Sequence, residues 1–291
     1  MTDIVTLSSA NWDQPVTATE QELAIDALER GGVLVFPQLN FMLQDGEDQL
    51  LSPTVAGKRK NISLNPATGS LRAGSVDAAN LQRLKSMMGR YAESSREFLR
   101  TLLPGYEAGL EQARTSFRPV EIAGRRTSRR KDDTRLHVDS FPSSPTQGRR
   151  ILRVFTNINP SGQSRNWRLG ESFEGVARRY LPSIRGPVRG ADRVLNWLGV
   201  TKRRRTDYDH YMLQLHDRTK ADSAYQSQAC HRACGFQAGC TWLVFTDAVP
   251  HAAMSGQYAL EQTYHLPVNC MQDPARAPLR ILERLLRRKL A

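Results

Sequence analysis

Cysteine, long apolar runs and, near the N-terminus, positive charge are all scarce in this 291-residue chain. Its four cysteines, three of them within residues 230–240, are too few and too clustered for a disulfide framework, which favours a reducing cytoplasm. No run of about 18 apolar residues is present, so we expect no membrane-spanning helix. The first residues lack the basic start and apolar stretch of a signal peptide, so we do not expect secretion.

The positive charge of the chain is concentrated away from its N-terminus. Residues 1–50 contain nine acids and one base, a net charge of −8, so the remaining residues must carry +20 to give the total of +12. A basic surface of this strength attracts polyanions, such as nucleic acid, an anionic membrane or a phosphorylated substrate. A diffuse solubilising surface is the simpler explanation, but the clustering of the bases favours a functional one.

Apolar periodicity predicts a mixed α and β chain with no internal repeat. The first helix is predicted to be capped by Thr19, with Glu22 completing a capping box, and to stop at Gly31. A short buried strand follows at residues 33–37, and a second helix is predicted over residues 78–102. Further strands are predicted over residues 150–159, 239–245 and 257–268.

The most informative pattern is His137-Val138-Asp139, followed much later by His251. Leu136 and Val138 alternate with polar residues as in a strand, which would place His137 and Asp139 on one face, about 7 Å apart. Two imidazoles and one carboxylate occupy one face of an octahedron and leave three positions open, as in non-haem Fe(II) oxygenases. His137, Asp139 and His251, here called the triad, are therefore predicted to bind iron. The alternative is a surface His-x-Asp pair and an unrelated turn histidine.

A dicarboxylate cosubstrate would need a cation for its far carboxylate. On the predicted strand 150–159, Arg153 and Asn157 share one face, while Leu152 and Val154 share the other. An inward arginine is costly without an anion, and a carboxylate could pair with it through two hydrogen bonds. Exposure of Arg153 to solvent remains the alternative.

Around these residues the chain resembles the Fe(II)/2-oxoglutarate dioxygenases of the double-stranded β-helix fold, whose metal-binding pattern the triad matches. Within that superfamily, HVDSFPS…QGRRILR (137–153) and VPH…SGQYALEQT (249–263) are similar to the Kdo 3-hydroxylases, which act on the 3-deoxy-octulosonic acid of lipopolysaccharide. The resemblance covers most of the chain. It implies a mainly β (α+β) fold, a double-stranded β-helix core with flanking N-terminal helices, and the use of Fe(II), 2-oxoglutarate and O₂.

One departure from the wider superfamily affects the cosubstrate. Many members carry an arginine shortly after the distal histidine to hold 2-oxoglutarate, whereas here that window contains Gln262, which has no charge. We therefore expect the salt bridge to come from Arg153 first and Arg150 second. Gln262 and Asn157 are the remaining predicted contacts.

We predict a single dioxygenase domain over residues 1–291. It would comprise an N-terminal helical and strand region (1–120), a β-helix core (121–270) and a C-terminal helix (276–291). A basic insertion (161–206), with eleven Lys or Arg against three acids, interrupts the core and is either a functional lid or surface element or a mobile basic loop. The C-terminal helix has one leucine face, Leu279, Leu282, Leu286 and Leu290, which would suit either an interfacial membrane helix or packing on the core.

The resemblance implies hydroxylation of C3 of a Kdo residue in a lipid A-linked glycolipid, giving succinate and CO₂. The expected partners are this anionic glycolipid and an anionic membrane surface, with no nucleic acid. The enzyme would be cytoplasmic and peripherally associated with the inner membrane. The alternatives are a nucleic-acid-directed 2-oxoglutarate dioxygenase, which the net charge also suits, and a non-catalytic binding module on the same barrel. His210, His216 and His265 lie in no motif and are expected to be structural.

Overall fold

A computed structural model of the chain describes residues 2–74, 76–188 and 190–291, without the side chains of residues 191, 194 and 195. The strands are β1 (Ile4–Thr6), β2 (Val33–Phe36), β3 (Ile62–Asn65), β4 (Ser70–Arg72), β5 (Glu111–Arg118), β6 (Arg150–Asn157), β7 (Arg165–Leu169), β8 (Arg232–Phe236), β9 (Thr241–Phe245), β10 (His251–Ser255) and β11 (Ala259–Leu266). The helices are α1 (Ala18–Glu29), α2 (Ala78–Leu102), α3 (Phe173–Tyr180), α4 (Ala191–Trp197), α5 (Asp207–Ala221), α6 (Ser223–Gln228) and α7 (Pro278–Leu286). Arg189, within the predicted insertion, lies outside the described residues.

The larger of two sheets has eight strands in the order β1-β2-β9-β6-β11-β5-β3-β4. Its central strand β6 is buried at every position and pairs antiparallel with both β9 and β11. Strands β1 to β5 all come from the first 120 residues, so the N-terminal region and the predicted core share this sheet.

The smaller sheet, in the order β10-β7-β8, packs on the larger one through a shared apolar cluster. Phe236 of β8 stacks on Trp242 of β9 with a centroid distance of 4.1 Å, and Trp167 of β7 contacts Phe155 of β6 edge-on at 5.1 Å. Side chains from the two inner faces thus interdigitate, as in other two-sheet β folds.

Strand β7 corrects the predicted insertion, whose first residues belong to the core. Arg165, Trp167 and Leu169 point inward, while Asn166 is exposed and Arg168 is half-buried. This is the period-two alternation of a strand with one buried face. The high count of basic residues in this segment concealed the alternation.

Helices cover the outer face of the larger sheet. Leu84, Met87 and Tyr91 of the predicted helix α2 pack against Ile62 of β3 and Phe117 of β5. The first helix begins two residues before the predicted position, because Thr17 is the N-cap and forms the capping box with Glu20. Thr19 therefore lies inside the first turn.

The leucine face of α7 packs on the core, so it is not available to a membrane. Leu282 is fully buried, and Leu279 and Leu290 are nearly so, in the same cluster as residues of α3 and α5. The backbone N–H of Tyr208 donates to the Leu290 carbonyl at 3.1 Å and holds the end of the chain in place. Of the two alternatives for this helix, the structure therefore supports packing on the core. Over the described ranges, no helix combines the length and apolarity needed to cross a bilayer.

Candidate metal centre

The triad is assembled by one isolated β-bridge between His137 and the first residue of β10, His251. The two backbones exchange hydrogen bonds of 3.1 and 2.9 Å, and the N–H of Asp139 donates to the Thr246 carbonyl at 2.8 Å. The predicted strand around His137 is therefore reduced to a single bridged residue. The bridge nevertheless places the three side chains together, with all candidate ligand atoms within 4.8 Å of one another.

Backbone carbonyls fix the orientation of both imidazoles. Nδ1 of His137 lies 2.7 Å from the Arg135 carbonyl, and Nδ1 of His251 lies 2.8 Å from the Val249 carbonyl. A carbonyl can only accept, so each Nδ1 carries the proton and donates it, which leaves Nε2 of each ring with a free lone pair. This is the usual arrangement of metal-binding histidines.

Burial keeps the two imidazoles neutral. It lowers the pKa of His137 well below the ordinary value, with a further contribution from His251, and it also lowers the pKa of His251. Burial by itself would raise the pKa of Asp139, but Arg153 and the two histidines hold that pKa far below its usual range. The site therefore presents two neutral nitrogen ligands and one carboxylate.

The donor set fits Fe(II). Oδ2 of Asp139 lies 2.9 Å from Nη2 of Arg153 but outside hydrogen-bond geometry, so this buried oxygen has no hydrogen-bond donor. Two imidazole nitrogens and one carboxylate, buried and converging, are the ligands of the non-haem Fe(II) facial triad.

Arg153 points toward the triad, as its position on the strand predicted, but its Nη groups already have protein partners. Nη2 pairs with Asp139, and Nη1 lies 2.9 Å from Oε1 of Glu261. Glu261 in turn accepts from Nε of Arg118 at 2.7 Å. Arg153 therefore positions the carboxylate of Asp139, and of its three nitrogens only Nε has no partner among the described residues.

The other three predicted cosubstrate contacts lie away from the triad. Arg150 and Gln262 project from the outer face of the sheet, where Arg150 pairs with Asp247 at 2.7 Å and Gln262 accepts from Thr115 at 2.6 Å. Asn157 shares the inner face, but its amide donates to the carbonyls of Gln163, in a loop, and of Phe236, at the end of β8, at the far end of β6. We retain none of the three as cosubstrate contacts.

Trp167 is a site residue that the sequence analysis missed. Its ring stacks on the imidazole of His251, with centroids 5.1 Å apart and planes inclined by 21°. The indole Nε1 is buried and has no acceptor in the described structure. Trp167 therefore restricts the orientation of the His251 ring, and its indole N–H is a hydrogen-bond donor without an acceptor in the described structure.

Arg165 is a second residue that was missed, and it faces the same way as Trp167. Its guanidinium is buried; Nη1 donates to the Gly256 carbonyl at 3.2 Å, and Nε has no partner among the described residues. Gly256 adopts φ +118° and passes so close to Arg165 that a Cβ would lie 2.8 Å from its Cα. Burial, aided by Arg118, lowers the pKa of Arg165 to about 9. The alternation Arg-x-Trp-x-Leu was the signal that could have found both residues.

His216 also lies beside the centre, although the sequence analysis predicted a structural role. It projects from α5, and its ring meets that of His137 edge-on at a centroid distance of 5.2 Å. Nδ1 is 3.0 Å from Oδ1 of Asp217. No local motif marks this residue, because α5 is brought to the triad only by tertiary packing.

Comparison with known proteins identifies relatives over almost the whole chain. Residues 11–289 match the family model of 3-deoxy-D-manno-oct-2-ulosonic acid (Kdo) hydroxylase. The structure is similar to that of the Kdo hydroxylase KdoO, a non-heme Fe(II) alphaketoglutarate dependent dioxygenase, in complex with alphaketoglutarate and Fe(III). The two chains are 48% identical, with a TM-score of 0.96 over 99% of this chain and 97% of that one.

Two further KdoO structures give the same result. The cobalt(II) complex is 49% identical with a TM-score of 0.96, and the complex with succinate and Fe(III) is 48% identical with a TM-score of 0.95, both over 99% of this chain and 97% of the other. Among curated proteins, the comparison finds no match. The likeness confirms the predicted fold class, a double-stranded β-helix with flanking helices.

We expect His137→Ala, Asp139→Ala and His251→Ala each to abolish turnover because each removes a metal ligand. Loss of an outer partner of a metal ligand already weakens metal binding by about 10- to 100-fold, so loss of the ligand itself should exceed this. Titration with Co(II), followed by absorption, measures the affinity. His231→Ala, which removes an exposed histidine, is the control. Normal Co(II) affinity in Asp139→Ala would remove Asp139 from the metal site.

Proposed function

The chain belongs to the Kdo hydroxylase family, and from this membership we propose that it hydroxylates C3 of a Kdo residue in a lipid A-linked glycolipid. The enzyme is a non-haem Fe(II)/2-oxoglutarate-dependent dioxygenase. In the proposed reaction, one atom of O₂ enters the new hydroxyl group and the other enters succinate, while CO₂ leaves. Nucleic-acid oxidation and a purely binding role, the two alternatives from the sequence, are not retained because residues 11–289 match a hydroxylase family.

One observation carries the proposal: three buried ligand atoms converge. Backbone carbonyls accept from Nδ1 of both histidines, which leaves the Nε2 lone pair of each ring free to bind a metal. Fe(II) would be held by Nε2 of His137, Nε2 of His251 and the carboxylate of Asp139. When bound, Fe(II) together with 2-oxoglutarate supplies the oxygen-activating chemistry. The protein orients the ligands, excludes water from their surroundings and positions the sugar.

We assign the far carboxylate of 2-oxoglutarate to Arg165 in place of the predicted Arg153. Arg153 is already paired with two carboxylates, whereas Arg165 is buried and has no carboxylate partner among the described residues. A buried guanidinium is costly until an anion pairs with it, and a carboxylate does so through two hydrogen bonds. The unpaired Nε1 of Trp167, two residues along the same inward face, would supply a further donor.

A lipid-linked substrate requires the enzyme to reach a membrane surface, and an exposed apolar tip around α4 supports this. The tip consists of Val188, Trp197, Leu198 and Val200; Trp197 is 84% exposed and Val188 is 76% exposed. An aromatic ring of this exposure suits the boundary between headgroups and acyl chains. We propose that this tip, and not α7, contacts the cytoplasmic face of the inner membrane.

The basic residues beside the tip favour an anionic surface. Lys202 and Arg203 are exposed and follow Val200 after the single residue Thr201. Each such charge near an anionic membrane contributes about 1 kcal/mol, which falls off within a Debye length. The segment is fastened to the loop that follows Asp139, because the Lys202 N–H donates to Ser143 at 3.0 Å and Arg205 donates to Pro142 at 2.5 Å. A membrane-bound tip would therefore keep the metal centre close to the lipid surface.

Mass spectrometry of Kdo–lipid A incubated with the protein, Fe(II), 2-oxoglutarate and O₂ tests the reaction. We expect the glycolipid to gain one oxygen atom, with one succinate formed per hydroxylation. Fragmentation then places the oxygen on C3. Absence of the gain in the presence of all cosubstrates would overturn the proposed function.

We expect Arg165→Met to raise the apparent Michaelis constant for 2-oxoglutarate by about 30-fold or more, as loss of one partner of a buried charge pair costs at least about 2 kcal/mol. Co(II) affinity should persist. Arg232→Met, on the exposed surface of neighbouring β8, is the control. If Arg153→Met raises this constant with Co(II) affinity intact, while Arg165→Met does not, the assignment to Arg165 is wrong.

The paired change Trp197→Ser and Leu198→Ser should reduce cosedimentation with anionic vesicles, while turnover of detergent-dispersed glycolipid is retained. Met42→Ser, which removes a 71% exposed apolar residue elsewhere, is the control. Leu282→Ala should instead destabilise the fold by about 2–5 kcal/mol, as a core truncation does. Unchanged vesicle binding in the Trp197/Leu198 variant would remove the tip from the membrane contact.

A further inference from the structure

A second basic site lies at the β4 edge of the larger sheet. A cleft of about 240 Å³ is lined there by Arg59, Asn61, Ser63, Arg72 and Arg114. Nη1 of Arg114 donates to Oγ of Ser63 at 3.2 Å, while Arg59 and Arg72 are exposed. No carboxylate lines the cleft, and none of its three arginines forms an ion pair with a described residue.

Several neighbouring cations, in contrast, pair with carboxylates. Arg118 pairs with Glu261, Lys60 with Asp133, and Arg153 with two carboxylates. Three guanidinium groups around one cleft repel each other and are stabilised by an anion between them. Their planar donors match the oxygens of a phosphate or carboxylate group.

The cleft and the metal centre lie on the same face of the sheet. Ser63 is directly opposite both Arg72 and Ser116, so these side chains share a face. Arg114 and Arg118 alternate with Ser116 along β5 and share it too, and Arg118 contacts Glu261 beside the triad. The intervening residues Ile62 and Phe117 face α2 instead.

The separation shows what size of ligand could occupy both sites. Arg72 on β4 is four strands from Arg153 on β6, which is roughly 20 Å along a sheet whose strands lie about 4.8 Å apart. One sugar ring cannot span this distance. A molecule whose reacting sugar lies at the triad must extend across the sheet to reach the cleft.

We propose that the Arg59–Arg72–Arg114 cleft binds an anionic group, phosphate or carboxylate, that the glycolipid carries at a distance from the reacting sugar. The inference rests on the proposed function in taking the glycolipid as substrate. The cleft recognises the remote part of the molecule, so the enzyme selects a sugar within a large anionic assembly over the free sugar. The metal centre does not require the cleft for binding Fe(II) or 2-oxoglutarate.

The test compares two double variants that lose equal charge. Arg59→Gln/Arg72→Gln removes two exposed arginines from the cleft, and Lys85→Gln/Arg96→Gln removes two exposed cations from α2, on the opposite face of the sheet. We expect the cleft variant to lower kcat/KM for Kdo–lipid A about tenfold, a change of about 1.4 kcal/mol that lies within the range for losing two exposed ion pairs. Its Michaelis constant for 2-oxoglutarate and its Co(II) affinity should equal those of the wild type. An equal loss in both variants, or no loss in either, would overturn the proposal.

Phosphatase-treated Kdo–lipid A distinguishes the source of the anion. If the wild type loses the same factor on this substrate and the cleft variant loses nothing further, the anion is phosphate. If the treated substrate behaves normally and the cleft variant remains impaired, the anion is a carboxylate. Binding of untreated Kdo–lipid A to each variant without O₂ provides a readout independent of turnover. Weaker binding by the cleft variant would support the cleft even if no hydroxylation occurs, and equal binding by all forms would overturn it.

Discussion

The candidate site depends on a buried chain of alternating charges, in which Asp139, Arg153, Glu261 and Arg118 contact one another in that order. Burial alone would raise the pKa of Glu261, but Arg118 and Arg153 hold it below its usual value. Removing one member of such a chain leaves an uncompensated buried charge, which is strongly destabilising. The carboxylate of Asp139 therefore belongs to a charge network whose other members come from three different strands.

This row of alternating charges explains which site residues could be predicted from the sequence. His137, Asp139 and His251 were predicted from a short motif and a later histidine, and the structure brings their ligand atoms within 4.8 Å. The inward facing of Arg153 followed from strand alternation. Its partner Glu261 could not be inferred, because the pairing depends on the register between β6 and β11, which no local pattern encodes.

The regular elements were predicted where a periodic apolar pattern was strong, as in α2 and β6, and not where charge obscured it. In β7, two arginines within five residues hid a core strand, and with it Arg165 and Trp167. The leucine pattern of α7 was recognised correctly, but a hydrophobic face does not specify what covers it. In this protein the face packs in the core cluster that also contains residues of α3 and α5, and several of the apolar side chains left exposed lie around α4.

The bridge between His137 and His251 bears on whether the protein folds before or after it binds iron. Residues 137 and 251, which are 114 positions apart, are held by paired backbone hydrogen bonds that involve no ligand atom. Small zinc domains differ, because their ligands come together only when the metal binds and the metal then supplies the folding energy. Here backbone hydrogen bonds alone join the two histidine-bearing segments, which favours a fold that forms before iron binds. Loss of the metal through oxidation or chelation would then leave a folded apoprotein that can bind iron again, and not a denatured chain.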